Sequence, residues 1–163
     1  MLRPFLLALL LAGCSSPAPA DPADPFDPLT FFTGTSHGEG KLKIITKAAT
    51  AVHVESHGVR TGPDAITLDQ TVREGTKPPR QRRWLLRRTS PTTFGGTLSD
   101  ARSPIEGRLV DNRLLLNFQM KGGLDAEQIL SLQPGGRTLL NRMVVRKFGM
   151  VVARLDEVIT RAP

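Results

Sequence analysis

The 163-residue chain has one cysteine, one tryptophan, no tyrosine and three histidines. A single thiol excludes an internal disulfide, so the folded part must be held by burial of apolar side chains. No apolar run reaches the roughly 20 residues that a membrane-crossing helix needs. Basic residues outnumber acidic ones, 22 to 15, for a formal net charge of +7. That balance attracts polyanions. A chain with so few aromatics has little to stack on bases, however, so nucleic acid is not the expected partner. There is no Gly-x-Ser-x-Gly elbow, no free thiol in the folded region and no His beside a plausible Ser and acid, so the sequence nominates no catalytic residue. Asp156 and Glu157 are adjacent and on a strand would face opposite ways, which rules them out as a carboxylate pair.

The first fourteen residues are organised. Arg3 is followed by the apolar run Phe5 to Leu11, then Ala12, Gly13 and Cys14. A charged start, a short apolar segment and small residues before a cleavage point form a secretory signal. Leu11-Ala12-Gly13-Cys14 has the further form of a bacterial lipobox, which predicts lipidation of Cys14. The chain then divides into a signal peptide over 1–13, a tether over 14–28 and a folded domain over 29–163. Prolines at 17, 19, 22, 25 and 28 make the tether extended, with a reach of roughly 40 Å at about 3.1 Å per residue. A diacylated cysteine anchors stably, because each buried methylene contributes about 0.8 kcal/mol. The expected location is the cell envelope, with the membrane as partner through the lipid and an anionic envelope component as a possible second.

Beyond the tether the pattern has period two. Val52, Val54 and Ser56 alternate with His53, Glu55 and His57, and Ile66, Leu68, Gln70 and Val72 share one face. Further runs cover 81–89, 93–98, 105–110, 113–120, 126–133 and 138–146, broken by turn signals such as Asp111-Asn112 and Pro134-Gly135-Gly136. The segment 151–161 fits either a helix or a strand, and we read it as a closing strand. About ten one-sided strands in sequence order predict an all-β fold, an antiparallel up-and-down barrel that removes its own edges. A two-sheet sandwich is the alternative.

Several motifs carry a resemblance. Phe31-Phe32-x-Gly34, Gly38-x-Gly40, Leu68-Asp69-Gln70, Arg83-Trp84-x-Leu86, Gly96-Thr97-x-x-Asp100, Thr138 to Arg142 and Lys147-Phe148-Gly149 follow the lipobox. With it they resemble an uncharacterised family of bacterial lipoproteins known as a domain of unknown function, DUF3833. The resemblance spans nearly all of the chain after Cys14. It implies a distantly lipocalin-like barrel and, with Ser15 rather than Asp after Cys14, sorting to the outer membrane facing the periplasm. It implies no activity and no cofactor. The Phe-x-Gly and Gly-x-Gly opening also looks like haem-binding barrels, but those take an axial His near the C-terminus, and no His follows His57.

Candidate residues follow from the faces. His53, Glu55 and His57 share a face opposite Val52 and Val54, so a solvated outer surface is expected rather than a metal site. In Arg80 to Arg88, Arg83 and Arg87 fall on one face and Arg82, Trp84, Leu86 and Arg88 on the other. If Trp84 points inward, Arg82 stands beside it at a barrel mouth, suited to an anionic head group over an apolar body; solvated surface charge is the competing account. Gln70 is the other inward polar residue and needs a partner. Leu114, Leu116, Phe118 and Met120 line either a cavity or a packed core. Two functions remain. One is a barrel that binds a small amphiphilic or anionic ligand with Gln70, Arg82 and Trp84 as contacts, and the other is a packed barrel that meets a partner through its basic exterior.

Overall fold

Alternating burial runs through ten strands. They are β1 (Gly34–Ile44), β2 (Thr50–Gly62), β3 (Ala65–Glu74), β4 (Arg80–Ser90), β5 (Thr93–Leu98), β6 (Ile105–Val110), β7 (Arg113–Met120), β8 (Leu124–Leu132), β9 (Thr138–Lys147) and β10 (Met150–Arg161). The computed structural model describes residues 25–163; the expected signal peptide, Cys14 and the tether as far as residue 24 lie outside the described residues. Every strand pairs antiparallel with its neighbours in sequence, and β1 pairs with β10. The result is a closed up-and-down barrel, not a sandwich. The ambiguous last segment is a strand because β1 and β9 would otherwise each keep an unpaired edge. Leu155, Glu157 and Ile159 are its buried positions.

The turns explain how so many short connections are made. Asp111 and Asn112 take φ of 47° and 56° between β6 and β7, the doubly left-handed geometry that matches strand twist in a two-residue hairpin. The longer connection between β8 and β9, residues 133–137, turns on Gly135 and Gly136 at φ 88° and 70°.

The start of the domain differs from the sequence expectation. Phe26 falls within the expected tether, yet it is buried, as are Pro28, Leu29, Phe31 and Phe32. A short helix, α1 (Pro28–Phe31), closes one end of the barrel. Asp27 caps it by accepting from Leu29 N at 3.0 Å and from Thr30 Oγ1 at 2.7 Å, and Pro28 sits in the first turn, where no donor is lost. Arg88 Nη2 donates to Asp27 Oδ1 at 2.7 Å, and Phe26 N donates to Asn112 Oδ1 at 3.1 Å. These bonds tie the plug to β4 and to the β6–β7 turn. A four-residue helix has no periodicity to detect, which is why the pattern did not reveal it.

Plug residues and Ile66, Leu68, Trp84, Phe94, Leu114 and Leu139 belong to one apolar cluster. A smaller cluster of Val52, Val54, Val72 and Leu155 lies toward the other end, with Leu42 and Met143 half-buried against it. Among the described residues no helix covers that end.

Candidate functional site

Between the two apolar clusters lies a polar layer. Gln70 stands between Leu68 and Val72 on β3, and Glu157 stands between Leu155 and Ile159 on β10, so each marks the change from one cluster to the other. Register extends the layer sideways. Ser36 faces Ser56, Ser56 faces Gln70, and Gln70 faces Arg82 across β1 to β4. Glu157 in turn lies between Gly40 and Asn141 across β1, β10 and β9.

Gln70 is the hub of the first group. Its Oε1 accepts from Arg82 Nε at 2.6 Å and from Trp84 Nε1 at 2.8 Å, while its Nε2 donates to Ser56 Oγ at 2.8 Å. The indole packs edge-on against Phe118, with centroids 5.8 Å apart, and the Arg82 guanidinium carbon lies 5.7 Å from the indole centroid. The sequence therefore brought together the three residues it nominated. What it did not show is that two of them share a single acceptor on the third.

Among the described residues Arg82 makes no ion pair within 4.0 Å. Burial is the main reason its guanidinium is pulled down to about 10; nearby Arg80 adds to this, and Glu157 and Asp100 oppose it. The residue as a whole is half-buried.

Glu157 was missed. The sequence offers it only as one of two adjacent carboxylates, although an acid at the inward position between Leu155 and Ile159 is a readable signal. Its Oε2 accepts from Asn141 Nδ2 at 2.7 Å. Burial holds its carboxyl above the ordinary 4.5, and the Asn141 bond and the charge of Arg82 only partly offset that. The Gly38-x-Gly40 motif makes its space. A Cβ at Gly38 would stand 2.0 Å from Glu157 Oε1, and one at Gly40 would stand 2.8 Å from its Cβ. Ser36 Oγ and Asn141 Oδ1 are buried in this layer without a partner.

A raised carboxyl makes stability fall with rising pH, because the folded protein holds its proton above 4.5 while the unfolded chain has released it. Glu157→Gln is therefore expected to melt higher than the parent at neutral pH and to converge with it at and below about pH 4.5. Thermal melts across that range measure the difference. A constant offset at every pH would show that packing, not ionisation, is responsible.

The cavity beside this layer is small, about 40 Å³, and is lined by Gln70, Arg82, Trp84, Leu116, Gln128 and Glu157 among others. That is room for on the order of one or two waters. Leu114, Leu116 and Phe118 are buried core residues, and Met120 is half-buried against them. The larger hollows are open to solvent: one of about 430 Å³ is edged by Glu106, Asp125, Glu127 and Arg146, and another of about 410 Å³ includes Asn141 and Glu157 in its wall.

Outside the barrel, His53, Glu55 and His57 are exposed, on the outer face as expected. The basic run of β4 is less available than its charge suggests. Arg83 holds Asp69 through both oxygens at 2.5 and 2.9 Å, Arg80 pairs with Asp100, and Arg88 pairs with Asp27. Apart from Arg82, only Arg87 of this run is without an ion pair among the described residues.

A family model described as a protein of unknown function, DUF3833, matches residues 8–161. The chain belongs to that family. No curated protein matches it. Solved structures with a similar fold include the S-type phycobiliprotein lyase CPES from Guillardia theta, at TM-score 0.67 and 8% identity, covering 83% of this chain and 90% of that one. Rv2717c from M. tuberculosis aligns at TM-score 0.59 and 16% identity, over 83% of this chain and 95% of its own. At these identities the likeness establishes the fold, and this DUF3833 member is a lipocalin-like barrel closed by a helical plug.

Proposed function

We propose that this protein is an envelope-anchored lipoprotein, lipidated at Cys14 and sorted to the outer membrane facing the periplasm, whose barrel binds a small amphiphile with an anionic group. The observation that carries the reading is Arg82. Its guanidinium lies at the inner wall of a mostly apolar barrel, is oriented by Gln70, and has no carboxylate within 4.0 Å among the described residues. A partly desolvated cation bonded to a neutral amide rather than a carboxylate is costly, and a carboxylate or phosphate from a ligand would complete it with charge-assisted bonds. Leu68, Leu116 and Ile159 supply an apolar bed beside it. In the packed state the cavity is too small for an acyl chain, so binding requires side chains at the uncovered end to move. Leu42 and Met143 are half-buried there and are the ones with least to lose.

The competing account, a packed barrel that acts through its exterior, is favoured by that same volume of about 40 Å³. The sole tryptophan separates them. Trp84 lies against the cavity and no tyrosine competes with its emission, so titration with oleate and with phosphatidylglycerol can be followed by fluorescence, alongside native mass spectrometry of protein purified from its own envelope. A carrier gives saturable change and a reproducible added mass. A bare protein with unmoved emission leaves the exterior as the working surface.

A further inference from the structure

The end of the barrel away from the plug carries an exposed apolar tip. Phe148 is 85% exposed, Ile45 68% and Met150 67%. They come from two neighbouring turns, since Ile45 N donates to Val152 O at 3.0 Å and so joins the β1–β2 turn to β10. Phe148 and Gly149 form the two-residue turn between β9 and β10 with φ of 51° and 79°. That geometry favours Asn, Asp or Gly at its first position. A phenylalanine there is strained and fully presented to solvent, and folding gains nothing visible from it.

The two chain segments that form the tip are basic, with acids beside them at Asp156, opposite Lys41, and at Asp125 and Glu127, beside Arg146. Residues 40–54 and 143–155 contain Lys41, Lys43, Lys47, Arg146, Lys147 and Arg154 and not one acid. Arg146 pairs with Glu127, and the other five make no ion pair among the described residues. Lys147 Nζ sits 5.7 Å from the Phe148 ring centroid, and Lys43 and Arg154 flank a surface hollow of about 280 Å³ whose floor includes Ile45 and Val151. Most of the β4 arginines already hold carboxylates, whereas this end gathers five basic side chains that hold none among the described residues.

We infer that this tip docks on an anionic phospholipid surface, with Phe148, Met150 and Ile45 entering the interface and the lysines and Arg154 meeting lipid phosphates. An exposed apolar wedge needs an apolar medium, and a collar of unpaired cations selects a negatively charged one. Docking in this way turns the uncovered end of the barrel toward the lipid, and it holds whether or not the interior takes a ligand.

Residues 25–163 contain the plug and all ten strands and close on themselves, so this fragment, free of acyl chains, is suitable material. The measurement is co-sedimentation with vesicles of phosphatidylcholine containing roughly one-third phosphatidylglycerol, with pure phosphatidylcholine for comparison. The parent should bind the anionic vesicles, less so as salt rises, and bind the neutral ones weakly. Lys43→Gln and Lys147→Gln should each weaken binding about fivefold. Phe148→Asn should weaken it at least as much, while folding no worse than the parent because asparagine suits φ 51°. Equal binding by parent and Phe148→Asn overturns the inference. So does a parent dimer in solution that Phe148→Asn turns into monomer without any vesicle binding, which would make a second copy the occupant.

Discussion

Gly58→Ala is expected to lower stability by about 3 kcal/mol or more and to unseat the plug. A Cβ at this position would stand 1.8 Å from the carbonyl oxygen of Phe32 and 2.9 Å from its carbon. Both atoms are backbone, so no rotamer change relieves the clash and α1 has to move away from β2. Leu29, Phe31 and Phe32 are buried by that contact, and burial of side chains of this kind contributes about 1.5–3 kcal/mol each. Loss of part of two of them is enough for the stated cost. Urea denaturation measures it, and hydrogen exchange over 26–33 shows whether the plug is what loosens. Gly62→Ala serves as the control, since a Cβ there meets nothing within 4 Å and should change stability by no more than about 0.5 kcal/mol. Similar losses at both positions would mean that β2, not the plug, is being damaged.

The second large effect centres on Gln70. Gln70→Leu removes the acceptor shared by Arg82 and Trp84 and the donor to Ser56, leaving an indole N–H and part of a guanidinium unpaired in a dry setting. Each stranded donor costs about 1–3 kcal/mol, more when charged, so the variant should lose about 3–5 kcal/mol and shift Trp84 emission. Gln70→Glu behaves differently. It keeps an acceptor for both donors and Ser56 can donate in return, so the fold should hold. The new carboxylate would, however, satisfy Arg82 from within. If Arg82 receives an anionic ligand, Gln70→Glu should weaken oleate binding at least about tenfold with little change in melting temperature, the equivalent of roughly 1.4 kcal/mol. Oleate bound as tightly by Gln70→Glu as by the parent would remove Arg82 from the binding site.

These two expectations rest on residues that differ in how readable they were. Gln70 and Trp84 could be nominated because each sits at an inward position of a clean alternation, and an inward polar group on an apolar face is conspicuous. Arg82 shares that face and gains its meaning from Gln70, to which it is opposed in register. Glu157 lies on an equally regular face, but beside Asp156 it is weighed in the sequence only as half of a carboxylate pair. Asp156 is indeed on the outside, held by Arg142 at 3.0 Å. Gly38 and Gly40 were legible only as a family motif, since the reason for them is a side chain more than a hundred residues away. Phe26 was misplaced for a related reason. Burial of one aromatic in a proline-rich stretch leaves no periodic trace, and it depends on a barrel end built by residues far along the chain.

The sequence by itself determined that the domain is all-β, that its strands follow one another through short turns, and which face of each strand is apolar. Side-chain alternation and turn chemistry are local properties, so no three-dimensional information is needed to read them. It also supplied the lipobox and therefore the expectation of an anchor. Only the tertiary structure decided that β10 closes against β1, that a four-residue helix stops one end, and that among the described residues Arg82 is left without a carboxylate while Arg80, Arg83 and Arg88 are not. It likewise gathered Ile45, Phe148 and Met150 into one tip. These outcomes depend on strand register and on which chain segments meet at each end of the barrel, and both are set by packing between residues that are distant in sequence.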